Sequence, residues 1–314
     1  MIGVVCLNPA LDITHHVPAV DWAGVNRPSA VHARPGGKGL NVARTLHELG
    51  VDVLVLGLAG GLTGTEVETG LASRGVPASW TRIGAETRRT FTVVDRESGD
   101  SALFNEPGPP VSDGEFADFG VRYKEVLDGC AAVVLSGSPP PGVPPDAYAG
   151  LIGLAATAGV PVVLDAHGDA LRRGAAAGPA IVKPNLAELA ASTGRPLDGA
   201  GRPAVAAAAR ELRVAGAGAV VASLGATGLH AVTPDGGWWA APPDAVAGNP
   251  TGAGDAVTAA LAHGLVLGRP WPEQVRHAVA LGTAAAMAPV AGEFSVADYN
   301  RLLPAVSVDR DGAG

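Results

Sequence analysis

A glycine-rich segment that ends in an aspartate is the strongest chemical signal in the sequence. Residues 249–255 read Asn-Pro-Thr-Gly-Ala-Gly-Asp, and the apolar residues 256–267 that follow predict a helix. Glycine lets the backbone approach a ligand closely, and the first N–H groups of a helix attract anions. We therefore predict that Gly252, Ala253 and Gly254 hold an anion beside Asp255, a candidate general base. Taken alone, an acidic residue at a helix start more often only stabilises the positive helix end.

A second glycine-rich segment opens the first helical pattern, which covers residues 40–49. Residues 35–41 read Pro-Gly-Gly-Lys-Gly-Leu-Asn. The ammonium of Lys38 and the N–H groups around Gly36 and Gly37 form a combination that can hold an anion. The alternative is a flexible loop that carries a solvated lysine.

Asn185 and Glu188 lie where a predicted strand runs into a predicted helix. Their spacing is typical of a capping box, which satisfies the first N–H groups of a helix. The functional alternative is that both residues orient a hydrated Mg²⁺, an ion that keeps several water ligands. Two further loops follow predicted strands and suit close contact with a ligand, one starting at Ser136 and one containing Ser223, Gly225 and Gly228.

The alternation of short Val- and Leu-rich runs with longer Ala- and Leu-rich segments predicts an α/β fold. Continuous apolar runs indicate buried parallel strands, here residues 2–7, 51–56, 132–135, 160–164, 180–182 and 219–223. Besides residues 40–49 and 256–267, the predicted helices are 151–158, 187–193, 204–215 and 272–287. This order predicts one domain, residues 1–314, with a doubly wound, mostly parallel sheet and helices on both faces.

Two segments depart from this alternation. Residues 13–33 and 87–104 alternate apolar and polar residues more loosely, and the second has the pattern of a β-hairpin. We predict that they form a small separate sheet, a β lid beside the α/β body, in which Phe91, Val93 and Phe104 face a second copy of the chain. The tail, residues 308–314, is predicted to be flexible.

Composition excludes several classes of function. The chain has 22 basic and 30 acidic residues and a net charge of −8, which disfavours nucleic-acid binding. The two cysteines, Cys6 and Cys130, predict neither a disulfide framework nor a zinc site. With no basic, apolar leader and no uniformly apolar stretch, the chain is expected to be soluble and cytoplasmic, without membrane contact.

In this order, the motifs resemble those of the ribokinase-like (PfkB) carbohydrate kinases across nearly the whole chain. Gly-Ala-Gly-Asp at 252–255 is similar to the family's anion hole and catalytic aspartate, and Asn185–Glu188 is similar to its Asn-x-x-Glu motif. The resemblance implies ATP as phosphoryl donor and Mg²⁺ held through water by Asn185 and Glu188. It also implies a nucleotide site, whose predicted residues are Lys183, Asn185, Ser223, Gly225, Gly228, Gly252 and Gly254, with adenine against Val246, Ala284 and Met287.

Further segments are similar to the 1-phosphofructokinase/tagatose-6-phosphate kinase branch. They are residues 7–12, 36–43, 105–109 and 182–185. The resemblance implies that Asp12 and Asn41 contact sugar hydroxyls, and that Lys38 and Arg88 bind the phosphate that the substrate already carries. It also implies a substrate site completed by Gly36, Gly37, Ser136 and Asp255, and a homodimer through the β lids. Arg89-Thr90 stands where this branch usually has Thr-Asn, which makes Arg89 a further candidate for the phosphate clamp.

The implied activity is an ATP-dependent phosphohexose kinase that phosphorylates the 6-hydroxyl of D-fructose 1-phosphate. Tagatose-6-phosphate kinase and 6-phosphofructokinase are alternatives within the family. Two alternatives come from other classes. One is a catalytically silent regulator that binds nucleotide and sugar; the other is a dehydrogenase, which the missing dinucleotide fingerprint disfavours.

Overall fold

The main sheet has ten strands. The computed structural model describes residues 1–243, 251–288, 290 and 292–311. The strands of this sheet are β1 (Ile2–Cys6), β4 (Val53–Ala59), β5 (Ala78–Arg82), β8 (Ala132–Ser136), β9 (Val162–Asp165), β10 (Ile181–Val182), β11 (Ala219–Ser223), β12 (Leu229–Thr233), β13 (Gly236–Ala241) and β14 (Ser307–Arg310). Their spatial order is β14-β13-β12-β11-β10-β9-β8-β1-β4-β5.

The strands from β5 to β11 in this order pair in parallel, and β12, β13 and β14 extend the sheet in antiparallel fashion. β1 is buried along its whole length because helices cover both faces of the sheet. The mostly parallel sheet predicted from the apolar runs is confirmed.

Ten helices pack on the two faces of this sheet in the described part of the chain. They are α1 (Lys38–Glu48), α2 (Gly61–Ala72), α3 (Asp113–Leu127), α4 (Ala147–Thr157), α5 (Gly168–Ala176), α6 (Leu186–Thr193), α7 (Arg202–Val214), α8 (Ala253–Val266), α9 (Trp271–Met287) and α10 (Val296–Leu302). One apolar core lies between the sheet and α1, α2, α8, α9 and α10. A second core lies between the opposite face and α3 to α7. This two-sided arrangement matches the ribokinase-like fold implied by the motifs.

A separate four-stranded sheet lies beside the α/β body. Its order is β3 (Ala30–Gly36), β2 (Ala10–Val17), β6 (Arg88–Asp95) and β7 (Ser101–Asn105). β2 and β6 pair in parallel, and the two outer pairs are antiparallel. The small sheet predicted from residues 13–33 and 87–104 is therefore confirmed, except that it begins at Ala10 and extends to Gly36. Its closure over a ligand stays a prediction.

The C-terminal segment differs from its prediction. Residues 307–310 form β14, which pairs with β13 at the edge of the main sheet. The prediction of a flexible tail is therefore wrong for residues 308–310, while residues 312–314 lie outside the described residues. Throughout the described ranges, we find no helix that is both long and apolar enough to cross a lipid bilayer.

Candidate active site

The predicted anion-binding segment begins α8. Gly252 is the N-cap of this helix and has a φ of +87°, a backbone conformation that favours glycine. None of the described side chains caps the helix, so N–H groups of the first turn, at Ala253 and Gly254, can donate to a ligand. Asp255 lies in the same turn and is only 5% exposed. The preceding Asn249 and Pro250 lie outside the described residues.

Asp255 has the protonation behaviour of a buried base. Burial raises its pKa to about 6, and the negative charge of Asp165 adds to this effect. Lys38, a hydrogen bond from Asn41 and Lys183 act in the opposite direction. The hydrogen bond runs from Nδ2 of Asn41 to Oδ2 of Asp255 over 2.7 Å. Asp255 can therefore be ionised near neutral pH and still hold a proton once it has accepted one.

Asp165 forms the centre of a charge cluster next to Asp255. Its carboxylate is fully buried and lies 3.2 Å from Nζ of Lys38 and 3.4 Å from Nζ of Lys183. The hydroxyl of Thr258 in α8 donates to Oδ2 of Asp165 over 2.8 Å. Burial opposes ionisation of Asp165, but the two lysines and Thr258 together hold its pKa below the usual range. The cluster is therefore ionised and brings two cations to the site.

Lys38 belongs to this cluster. Besides Asp165, its Nζ lies 3.5 Å from Oε1 of Glu188. Asp165 raises the pKa of Lys38 most strongly, against the effect of burial, and Glu188 and Asp255 raise it further. The ammonium is therefore held charged between the predicted nucleotide site and the predicted base.

Arg88 lies elsewhere, at the start of β6 in the small sheet. Its Nη2 and Nη1 donate to the carbonyl oxygens of Asn8 and Glu106, each over 3.2 Å. Within the described residues, Lys38 and Arg88 have no hydrogen-bond or ion-pair partner in common. The phosphate clamp that Lys38 and Arg88 are expected to share therefore stays a prediction.

Arg89 does not lie on the same face of β6 as Arg88. Neighbouring residues of a strand point to opposite faces, and Nη2 of Arg89 donates to Oγ1 of Thr63 in α2 over 3.0 Å. The suggestion that Arg89 extends the phosphate clamp stays a prediction, which the contact with Thr63 does not support. Thr90, on the same face as Arg88, is buried and acts to lower the pKa of Asp12, its partner in β2.

Asp12 in β2 lies directly across from Arg34 and Thr90 in the neighbouring strands. Burial raises its pKa, although Arg34 and Arg88 oppose this effect. A Cβ at position 36 would overlap the Asp12 carboxylate, so glycine at this position leaves room for it. The small sheet thus holds a partly buried carboxylate where the motifs predict a sugar contact.

Ser136 lies at the carboxyl end of β8, in register with Asp165. Its hydroxyl is buried and has no hydrogen-bond partner among the described residues. Gly137, the next residue, donates its N–H to the carbonyl of Asp165 over 2.9 Å and packs beside Cβ of Lys38. A ligand hydroxyl is the kind of partner that would satisfy Ser136.

The predicted nucleotide residues lie at the ends of β10 and β11. Asn185 and Ser223 form a parallel bridge, and the loop from Gly225 to Gly228 closes with a bond from the Leu224 N–H to the Gly228 carbonyl over 2.8 Å. The predicted adenine wall is corrected in part. Ala284 is completely buried and cannot contact a ligand, and Val246 lies outside the described residues.

Asn185 and Glu188 form the capping box at the start of α6, with both reciprocal bonds at 2.8 Å. Oε1 of Glu188 remains directed to Lys38. In the described ranges, no group of three or more His, Cys, Asp and Glu side chains is placed to ligate a metal directly. Oε1 of Glu188 lies outside the capping box, and a carboxylate oxygen is the kind of ligand that Mg²⁺ takes together with several waters.

Sequence reasoning missed Asp165, Thr258 and Arg44, which hydrogen-bonds Asn41. Asp165 follows the predicted strand 160–164 directly, at the carboxyl end of a parallel strand, where ligands bind in open α/β sheets. That position is the signal that would have found it. Thr258 and Arg44 lie inside helices and gave no such signal.

A family comparison decides between the classes of function. The model described as pfkB family carbohydrate kinase matches residues 5–295. The chain belongs to this family of carbohydrate kinases. The silent regulator and the dehydrogenase have no such support.

The proteins that the chain is similar to are named as kinases of sugar phosphates. A 1-phosphofructokinase from Rhodobacter capsulatus is 37% identical over 285 residues, covering 90% of each chain. The structure of phosphofructokinase-2 from Escherichia coli in complex with potassium has a TM-score of 0.92 at 32% identity, covering 96% of this chain and 98% of that one. A possible 1-phosphofructokinase from Thermotoga maritima has a TM-score of 0.86 at 25% identity, covering 99% of both chains.

Proposed function

We propose that this pfkB family kinase transfers the γ-phosphoryl group of ATP to the 6-hydroxyl of D-fructose 1-phosphate, which yields fructose 1,6-bisphosphate. The observation that carries the proposal is Asp255, buried at the uncapped start of α8 beside the Lys38–Asp165–Lys183 cluster. The 1-phosphofructokinase relative supports the choice of sugar phosphate.

In this mechanism Asp255 is the general base. Its ionised carboxylate accepts the proton of the 6-hydroxyl while the hydroxyl oxygen bonds to the γ-phosphorus and the bond to the β-phosphate oxygen breaks. The electron pair of that bond leaves with ADP. N–H groups of Gly252, Ala253 and Gly254 at the start of α8 donate to the oxygens of the transferring phosphoryl group. Because Asp255 is buried, water is kept from the carboxylate and does not compete with the 6-hydroxyl as the proton donor.

We assign Lys38 to the transferring phosphoryl group rather than to the phosphate of the substrate. Its ammonium is shared with Asp165 and Glu188 and lies close enough to Asp255 to influence the pKa of that carboxyl group. Arg88 keeps the predicted role at the substrate phosphate, with Asp12, Asn41 and Ser136 as contacts to the sugar. Lys183 and the loops at Asn185, Ser223, Gly225 and Gly228 form the nucleotide side.

Mg²⁺ fits the carboxylate of Glu188, which has one oxygen in the capping box and one directed to the charge cluster. Glu188 and Asn185 would hold the hydrated ion through water. When bound, the ion neutralises the charge of the triphosphate.

A substrate panel tests the proposed activity. Purified protein is supplied with ATP, Mg²⁺ and one sugar phosphate at a time, and ADP release is measured. We expect the highest kcat/KM with fructose 1-phosphate, and lower values with tagatose 6-phosphate and fructose 6-phosphate. A higher value with tagatose 6-phosphate would transfer the assignment to the alternative in the same branch. A preference for fructose 6-phosphate would favour the sugar phosphate that is bound in one structure of the Escherichia coli phosphofructokinase-2.

Two further proposals concern the oligomeric state of the enzyme and its location in the cell. The small sheet exposes Val31 and Phe104 on one face, and we propose that this face pairs with the same sheet of a second copy. Cys6 and Cys130 are free, which fits a reducing compartment, and the cytoplasm is the proposed location.

A further inference from the structure

Arg44 reaches the candidate base through a single intervening side chain. It follows Asn41 by three residues in α1, so both side chains lie on one face of the helix. Nη2 of Arg44 donates a short hydrogen bond to Oδ1 of Asn41, and Nδ2 of Asn41 donates to Oδ2 of Asp255. Arg44 is only 5% exposed, so this chain of bonds is closed off from water.

The chemistry of the three groups allows only one orientation of the amide. A guanidinium group has five N–H donors and no acceptor, so it can bind only the oxygen end of the Asn41 amide. The nitrogen end must then face Asp255. An ionised carboxylate accepts hydrogen bonds and cannot donate one, so this orientation satisfies Asp255 in the state in which it acts as a base.

We propose that Arg44 is a positioning residue that fixes the Asn41 amide with its nitrogen toward the carboxylate of Asp255. This inference rests on the proposed function insofar as Asp255 is the base. Arg44 lies outside the predicted substrate and nucleotide sites, and the proposal gives it the role of keeping Asp255 ionised.

The packing around Arg44 supports a positioning role over a stabilising one. Nε and Nη1 of Arg44 are buried without a hydrogen-bond partner among the described residues, which costs stability. A Cβ at position 292 would lie 2.8 Å from Oδ1 of Asn41 and 2.9 Å from Nη2 of Arg44, so the chain at Gly292 closes over their bond. The bond is thus held in place although the rest of the guanidinium is poorly satisfied.

Charged groups surround both ends of this chain of bonds. Near Arg44 they are Asp12 in β2, Arg34 in β3, Arg74 after α2 and Glu293 before α10. Near Asp255 they are Lys38 in α1, Asp165 in β9 and Lys183 after β10. Burial, followed by Arg34 and Arg74, lowers the pKa of Arg44 to about 10, so it stays protonated at neutral pH. Arg44 therefore remains a donor across the pH range in which Asp255 titrates.

Removal of the guanidinium frees the amide to turn around. Its oxygen would then face Asp255 and could accept a hydrogen bond only from the protonated carboxyl group. Because a bond to the neutral form disfavours ionisation, the pKa of Asp255 should rise. The ionised form of Asp255, which acts as the base, would then be lost first at acidic pH.

The test compares Arg44→Met with Arg44→Lys and with Arg74→Met. Arg44→Met removes the donor at similar length, and Arg44→Lys retains a charged donor. Arg74→Met removes a nearby positive charge on a half-exposed residue that does not touch Asn41. Two quantities are measured: the titration of Asp255 in protein labelled with ¹³C at aspartate carboxyl groups, and kcat from pH 5.5 to 8.5. The Asp255 resonance is identified by its absence in Asp255→Asn.

For Arg44→Met we expect the Asp255 midpoint to rise by about one pH unit. The value of kcat should then fall roughly tenfold at pH 5.5 and stay within about twofold of the native value at pH 8.5. Arg44→Lys should restore most of the difference, and Arg74→Met should match the native protein. If Arg44→Met does not fold, Arg44→Gln takes its place with the same expected direction, because a glutamine amide offers oxygen as well as nitrogen to Asn41.

An unchanged Asp255 midpoint in the folded variant would overturn the proposal, as would an equal loss of kcat at all pH values. Failure of the native protein to phosphorylate any sugar phosphate would contradict the proposed function instead. The carboxyl titration would still report on the role of Arg44 in that case.

Discussion

At Asp255, burial and a neighbouring carboxylate both favour the protonated form, whereas two lysines and an amide favour the ionised form. The result is a pKa of about 6, far above that of an aspartate in water. A base with this pKa is ionised at neutral pH and yet basic enough to accept a proton from a hydroxyl group as phosphoryl transfer begins. The same residue therefore has consequences both for turnover and for stability.

Asp255→Asn should lower kcat by roughly 10²–10⁴ because the proton acceptor is lost. It should also stabilise the fold at high pH. A folded-state pKa above the unfolded value gives stability that is present below about pH 4 and lost as the pH rises through about 6. Thermal unfolding should show the variant to be about 1–3 kcal/mol more stable at pH 8 and equal to the native protein near pH 4. A near-normal kcat would contradict the assignment of the base.

Arg88→Ala should raise KM for the sugar phosphate at least tenfold and leave KM for ATP nearly unchanged. Hydrogen bonds to charged groups contribute about 1.5–3 kcal/mol, which sets this magnitude. Arg89→Ala is the matched control, because that side chain contacts Thr63 on the other face of β6. Lys38→Ala should act mainly on kcat. An equal rise in KM for the sugar phosphate in Lys38→Ala would restore the single phosphate clamp expected from sequence.

The glycine motifs and their polar residues could be predicted from sequence because each motif is continuous in the chain. Asp255, Asn185 and Glu188 fall into this group. The partners of these residues could not be predicted in the same way. Asp165 and Thr258 are 93 residues apart in sequence, and Asn41 and Asp255 are 214 apart, so only the fold brings them together.

The central strands of the main sheet could be predicted from the sequence, whereas the strands toward its two ends could not. All six predicted strands are present, because a parallel strand covered on both faces must be apolar along its length. The strands that the sequence did not predict, β5, β12, β13 and β14, lie toward the two ends of the sheet. In β5, β13 and β14 most side chains are only partly buried or are exposed. β12 is buried throughout, but it includes the polar residues His230 and Thr233. Helix α2 was missed because glycines at positions 64 and 70 weaken its helical pattern.

The start of α8 provides a prediction at the level of the element. Gly252→Ala places a side chain at a φ of +87°, which costs about 1–2 kcal/mol and shifts the first N–H groups. We expect a lower Tm together with a fall in kcat of about 10². Gly268→Ala is the control at the other end of the same helix, with a φ of +62° and no atom within 4 Å of the added Cβ. Its Tm should fall similarly while kcat stays native, and a parallel loss of kcat would contradict the role of the helix start.

At the scale of the whole molecule, the small sheet poses a packing problem. A sheet of four strands cannot bury both faces against one body. Of the three side chains predicted for its outer face, Phe91 and Val93 are half-buried, and Phe104 is 53% exposed. Val31, Leu103 and, in the loop after β2, Trp22 are more exposed still. A second copy of the same sheet would cover Val31, Phe91, Val93 and Phe104, which share one face, and complete a lid over the sugar. Leu103, the neighbour of Phe104 in β7, points to the opposite face.

Phe104→Asp should therefore weaken the dimer, because it places a charge in an apolar contact between two copies. Closure of the lid excludes water from the γ-phosphate, so the variant should also hydrolyse more ATP for each sugar phosphorylated. Light scattering gives the mass in solution, and the ratio of ADP to sugar bisphosphate gives the coupling. Val121→Asp is the control, since Val121 is similarly exposed, at 56%, but lies on α3. A native protein that is monomeric at micromolar concentration and still tightly coupled would refute the paired lids, although the kinase assignment would stand, because Asp255 and its charge cluster belong to the α/β body.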